Sequence, residues 1–185
     1  MNEKEKMLAG ELYRADDPQL SAERRRAKLL CYRFNQSVAE IDTATLKELL
    51  GRDTDAWLEP PFYCDYGYNL TLGERVYANH NLVVLDCATV TIGDDVMIGP
   101  NVTFATASHP LDPVERASGV EYALPIAIGS RVWIGAGVTV LAGVTIGDNT
   151  IIGAGSVVNK SIPANCVAVG NPCRVIRDGP DVTRL

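Results

Sequence analysis

Apolar residues recur at positions separated by multiples of six: Ile92, Ile98, Phe104, Ile128, Ile134, Val140, Ile146, Ile152 and Val158. Glycine follows most of them, at Gly93, Gly99, Gly129, Gly135, Gly147 and Gly153. Four places after the apolar residue comes a second small or aliphatic one, as at Val96, Val102, Val132, Val138, Val144, Thr150 and Ser156. A strand repeats every two residues and a helix about every 3.6, so a period of six belongs to neither. It belongs to short strands alternating with tight turns, three hexapeptides to a coil, stacked as a β-helix. Each coil then contacts only its neighbours, and inward side chains form ladders of like residues.

The phase is interrupted twice. It begins at Tyr66-Gly67 and continues through Leu72-Gly73, Ala78 and Val84, but the next step, to Ile92, is eight residues. A bulge or wider turn near Cys87-Ala88 would absorb the extra two. Between Phe104 and Ile128 eighteen residues are inserted, and they carry Pro110, Pro113 and Pro125. Proline makes a poor ladder donor, so this segment is expected to be a protruding loop over 109–126 rather than further strands. A loop that leaves and rejoins a rigid scaffold is a common place for function.

Residues 1–57 are expected to form a helical segment, and 58–185 the β-helix with its loop and a C-terminal cap. Leu8, Leu12 and Tyr13 have helical spacing. Ser21 suits an N-cap for a helix from Ala22 towards Val38, and Gly51 suits the C-cap of a helix over 43–50. The stretch from Asn171 to Ile176 departs from the repeat and is expected to close the last coil.

Composition excludes several classes. Apolar residues make up 46% and charged residues 22%, which is globular. The net charge of -6 disfavours a phosphate backbone, so no nucleic-acid partner is expected. The five cysteines are odd in number and lack C-x-x-C spacing, which supports reduced thiols in a cytoplasmic protein over disulfides or zinc. The charged start, Asn2-Glu3-Lys4-Glu5-Lys6, is unlike a signal peptide, and no apolar run has membrane-spanning length.

Several stretches carry a resemblance. The opening Glu3-Lys4-Glu5-Lys6-Met7-Leu8-Ala9-Gly10-Glu11-Leu12-Tyr13 is one. Others are Cys64-Asp65-Tyr66-Gly67-Tyr68-Asn69, Tyr77-Ala78-Asn79, the loop Ser108-His109-Pro110-Leu111-Asp112-Pro113, and the close Gly170-Asn171-Pro172-Cys173-Arg174-Val175-Ile176. Together they resemble hexapeptide-repeat acyltransferases of the maltose O-acetyltransferase and galactoside O-acetyltransferase group. The resemblance implies a left-handed parallel β-helix, against the usual hand of crossovers. It also implies a homotrimer with sites between subunits, and transfer of acetyl from acetyl-CoA to a sugar hydroxyl, with no metal.

Such a reaction needs a base for the hydroxyl proton and donors for the oxyanion that develops on the thioester. Of the two histidines, His109 stands where the repeat ends and the loop begins, as the family's catalytic histidine does; His80 sits at a repeat corner. Glu121, closing the same loop, is the candidate orienter, and Asn79 matches an asparagine beside the reacting hydroxyl. By resemblance Asp16, Arg24, Tyr77 and Asp86 contact the sugar. The galactoside enzymes' N-terminal aspartate falls on Ala15, and a second aspartate falls on Cys87. Both departures favour the maltose side over galactosides. For coenzyme A the resemblance points to a groove along the coils, with Trp133 lining it and backbone groups at Ala136 and Ala154 bonding the pantetheine arm. Lys160, Arg174 and Arg177 are expected to meet its phosphates.

Other classes fit less well. Gamma-type carbonic anhydrases share the scaffold but need three zinc-binding histidines, and the chain has two. An ice-binding β-helix would keep one flat face with Thr-x-Thr columns, which this chain lacks. Serine, xenobiotic and nodulation-factor acetyltransferases remain as other acceptor classes.

Overall fold

The computed structural model describes residues 1–37 and 40–179. Val38, the expected end of the second helix, lies outside them, as do positions 180–185 at the end of the expected cap. Among the described residues the repeat folds into a solenoid of parallel strands with three faces. Face one stacks six strands: Trp57–Leu58, Tyr77–Ala78, Met97–Ile98, Trp133–Ile134, Ile151–Ile152 and Cys166–Val169. Face two stacks Phe62–Cys64, Leu82–Leu85, Thr103–Ala105, Thr139–Leu141 and Val157–Val158. Face three stacks Leu70–Leu72, Val90–Ile92, Ile126–Ile128 and Thr145–Ile146.

The hexapeptide residues occupy the inside of the prism. Val140 pairs with Phe104 above it and Val158 below, and all three are fully buried. Every coil therefore removes three apolar columns from water at once, the main favourable term in such a fold. Glycine is required where corners stack backbone on backbone. A Cβ on Gly99 would lie 2.7 Å from the Ala136 nitrogen, and one on Gly135 would lie 2.6 Å from that of Ala154.

The eight-residue step has a structural counterpart. In the first coils, strand partners are twenty residues apart, as in Ala78 with Ile98 and Val84 with Phe104. Below the insertion they are eighteen apart, as in Ile134 with Ile152. The extra two residues widen the edge between faces two and three, at 65–69 and 86–89.

Three local expectations shift. Helix α1 (Glu3–Ala9) stops at Gly10, whose φ of 74° forms a left-handed cap, so Leu12 and Tyr13 lie beyond it. Helix α2 (Pro18–Asn35) starts four residues before Ala22. Asp17 rather than Ser21 caps it, accepting the N–H groups of Gln19 and Leu20, and Pro18 occupies the first turn, where no amide is needed. Helix α3 (Thr43–Leu50) ends at left-handed Gly51, as its sequence indicates. The expected loop is a β-hairpin: Ala107–Ser108 pairs antiparallel with Val120–Ala123, and a short helix, α4 (Pro113–Ala117), joins them. Tyr13–Arg14 adds a third strand from the N-terminal segment. Beyond the last coil, Arg174–Asp178 folds back antiparallel on Cys166–Val169 and caps the solenoid.

Candidate active site

At the edge between faces two and three, the wide corner is organised by one carboxylate. Asp86 is fully buried and accepts the backbone N–H groups of Asp65 (3.0 Å), Tyr66 (2.8 Å) and Gly67 (2.7 Å). Burial pushes its pKa up to about 6, against the pull of the Tyr66 and Gly67 amides. Asp86 therefore holds the corner; the expected sugar contact falls on a carboxylate that is fully buried in the single chain. Tyr66, fixed by that corner, accepts a 2.7 Å hydrogen bond from Arg24, which also donates to the Ala15 carbonyl at 2.5 Å. Arg24 is thus tied to the corner while Arg25 and Arg26 beside it are exposed. Asp16 is exposed and pairs with Arg14 at 2.9 Å.

The insertion leaves from this same edge. Thr106 donates to the Leu85 carbonyl and accepts the Ala88 N–H, clamping the hairpin's root to the coil above. His109 follows immediately after the Ala107–Ser108 strand and is exposed. Ser108 pairs with Tyr122, and His109 and Glu121 are the next residues beyond that pair. On the other side Glu121 pairs with Tyr13, whose hydroxyl donates to the Glu121 carboxylate. Burial raises the Tyr13 pKa, with Cys87 and Glu121 adding to it, so the phenol stays protonated and keeps donating. The Cys87 thiol donates to Asp65 at 3.7 Å, and burial pushes that thiol up to about 12. Burial also raises the Asp65 carboxyl.

The remaining expected residues lie elsewhere. Tyr77 and Trp133 are in face one, stacked in register with Trp57, Met97 and Ile151. Asn79, Ala136 and Ala154 are at the edge between faces one and two. The Asn79 side-chain oxygen accepts the His80 N–H, which leaves its NH2 group available as a donor. The amides of Ala136 and Ala154 donate to nothing among the described residues, while the Ala136 carbonyl accepts from Gly155. Arg174 reaches Asn159, the neighbour of exposed Lys160, across the end of face two. Arg177 stands opposite Val167 in the cap. His80 Nδ1 lies 2.5 Å from the Pro60 carbonyl and is held as part of its corner.

Known proteins fit both halves of the chain. Residues 6–53 match the maltose acetyltransferase hexapeptide capping motif, and residues 125–160 match the bacterial transferase hexapeptide family of six repeats. The galactoside O-acetyltransferase of Escherichia coli is 47% identical over 178 residues, covering 94% of this chain and 88% of its own. The chain belongs to the hexapeptide-repeat acetyltransferases. A maltose O-acetyltransferase from Clostridium difficile 630 superposes with a TM-score of 0.93 at 48% identity, covering 96% of this chain and 97% of that one. A galactoside acetyltransferase solved in complex with coenzyme A superposes with a TM-score of 0.88 at 44% identity, covering 96% and 91%.

For a hexapeptide acetyltransferase, the partition of this chain's residues is informative. His109, Glu121, Arg24 and Asp16 gather at the edge between faces two and three. Tyr77, Asn79, Trp133, Ala136 and Ala154 gather on face one and the edge between faces one and two. Sequence reasoning missed Tyr13, Asp65 and Tyr66, which buttress the first group. The signal was present: the eight-residue step marks the wide corner, and these residues are its contents and its partner strand. Among the described residues no group of three or more His, Cys, Asp or Glu is gathered to hold a metal ion, and no helix is long and apolar enough to cross a membrane.

Proposed function

We propose that this acetyltransferase moves an acetyl group from acetyl-CoA directly to a sugar hydroxyl, of the maltose or glucose type, with His109 as general base. The observation that carries the assignment is the contrast between the two imidazoles. His80 is bonded into its corner, whereas His109 is exposed on the hairpin and has no hydrogen-bond partner among the described residues. Its ring takes the hydroxyl proton as the new C–O bond forms. Glu121, on the facing strand of the same hairpin and anchored by Tyr13, orients it through its carboxylate or backbone. The Asn79 NH2 group and the Ala136 amide donate to the acceptor oxygen and to the developing oxyanion, where a fixed donor is worth more than solvent. The pantetheine arm follows the corner from Ala136 to Ala154 beside Trp133, and its phosphates meet Lys160, Arg174 and Arg177.

One chain separates these groups across the width of face two, about 10 Å of strand. A neighbouring copy brings them together: the hairpin edge of one chain meets the glycine corners of the next, and three such contacts close a ring. The apolar column on face one supports this, since Trp57, Met97 and Trp133 are 52%, 56% and 42% exposed in the single chain. Competition between glucose, maltose, a galactoside and serine at fixed acetyl-CoA tests the acceptor. Preference for glucose or maltose is expected, and preference for serine would overturn the sugar reading.

A further inference from the structure

Helix α2 lies against the first strand of face two, and Asn35 fixes how they align. Its Nδ2 donates to the Phe62 carbonyl (3.0 Å), and its Oδ1 accepts the Phe62 N–H (2.8 Å). Four residues back along the helix is Cys31, and two residues on along the strand is Cys64. A helix advances about 6 Å over four residues and a strand about 6.6 Å over two. The first contact therefore dictates the second, and the two sulfurs lie 3.7 Å apart.

Both thiols are buried, but a cavity of about 370 Å³ opens over them, lined by Lys28, Cys31, Tyr32, Asn35, Tyr63 and Cys64. Tyr32 and Tyr63 on its rim are exposed, so a small solute has a route to the sulfurs. Cys87 and Cys166 instead point at oxygen atoms, of Asp65 and Pro163. Acetyl transfer uses neither Cys31 nor Cys64.

We propose that Cys31 and Cys64 are a dithiol modification site, which hydrogen peroxide converts to a disulfide that ties α2 to the first coil. The Cys31 thiolate attacks one peroxide oxygen; the O–O bond breaks, and the departing oxygen takes a proton and leaves as water. The Cys64 thiolate then attacks the sulfur of the resulting sulfenic acid. The S–O bond breaks, the S–S bond forms, and a second water leaves. Two thiols lose two hydrogens, and one peroxide becomes two waters. The hydrogen bond shared with Cys64 lowers the Cys31 pKa, consistent with Cys31 attacking first. Closure requires the sulfurs to approach to about 2.05 Å. The new bond would join the helix that carries Arg24 to the strand that leads into Asp65-Tyr66, the two ends of the Arg24–Tyr66 contact.

The test is independent of acetyl transfer. The purified chain is treated with hydrogen peroxide, remaining thiols are alkylated, and the products are mapped by mass spectrometry. The expected product joins the Cys31 and Cys64 peptides, lacks two hydrogens per chain and is reversed by dithiothreitol. Its thermal midpoint should exceed that of the reduced chain, with no such gain in Cys64→Ser. A Cys31→Val variant replaces Cys64→Ser if the latter fails to fold, and the mapping itself needs no variant. Alkylation of both cysteines as free thiols, sulfinic acid at either, or a bridge involving Cys87 or a second chain would overturn the proposal.

Discussion

The two edges that border face two come from one repeat and diverge. The edge shared with face one turns tightly, with Gly99 and Gly135 letting backbone stack on backbone, Gly153 leaving room for the Val169 side chain, and Ala136 and Ala154 presenting free amides. The edge shared with face three is two residues wider in the upper coils, is pinned by buried Asp86, and sends out the hairpin that bears His109. Uniform corners present the same backbone groups at each level, which suits a long flexible ligand laid along them. Irregular corners can present particular side chains, which suits a base and a hydroxyl acceptor. On the proposed reading, the base enters where the repeat is broken, while the regular corners supply repeated backbone donors and the surface on which the other substrate lies.

Removing what both edges share should have the largest effect. Val140→Asp puts an unpaired charge between Phe104 and Val158 and should cost on the order of 4 kcal/mol or more, enough to abolish the cooperative thermal transition. A normal melt would mean that the ladders do not carry the fold. His109→Ala should act on the irregular edge alone, lowering turnover about 10²–10⁴-fold while the KM for acetyl-CoA holds. Unchanged turnover would remove His109 from the reaction.

Asp86→Asn separates the scaffold of that edge from its chemistry. Because its folded pKa of about 6 lies above the unfolded value of about 4, Asp86 contributes stability that is complete below about pH 4 and is lost as pH rises through 6. Wild type should therefore lose on the order of 2 kcal/mol relative to Asp86→Asn across that window, measured by denaturant unfolding. A pH-independent difference would contradict the burial argument. Arg174→Glu addresses the regular edge: the acetyl-CoA KM should rise about tenfold with sugar KM unmoved, and a rise in sugar KM instead would detach Arg174 from the phosphates.

Much of this comparison was legible in the sequence because the period of six is a local property, and because the glycines mark corners too tight for a side chain. The insertion and the two-residue slip located the irregular edge. Its contents were not legible. The sequence does not show that Asp86 is buried and accepts the amides of residues 65–67. Tyr13 reads as helix until Gly10 ends α1 and the chain pairs with Glu121, more than a hundred residues away. Long-range pairing of an insertion with an N-terminal strand leaves no periodic trace, and the prolines that suggested a loop sit outside the paired stretches. Asp17 outcompeted Ser21 as the cap because Pro18 after it suits the first turn of a helix.

Complementation between two inactive variants tests most directly whether the edges work across a subunit boundary. Asn79→Ala disables the regular edge and leaves the hairpin intact, and His109→Ala does the reverse. Chains of the two variants, unfolded together in equal amounts and refolded, assemble at random. If each site takes His109 from one chain and Asn79 from the next, about a quarter of the sites are intact, and activity should recover to about a quarter of wild type. Activity no higher than that of the two variants refolded separately would place both residues in a site within one chain and contradict the shared-edge arrangement.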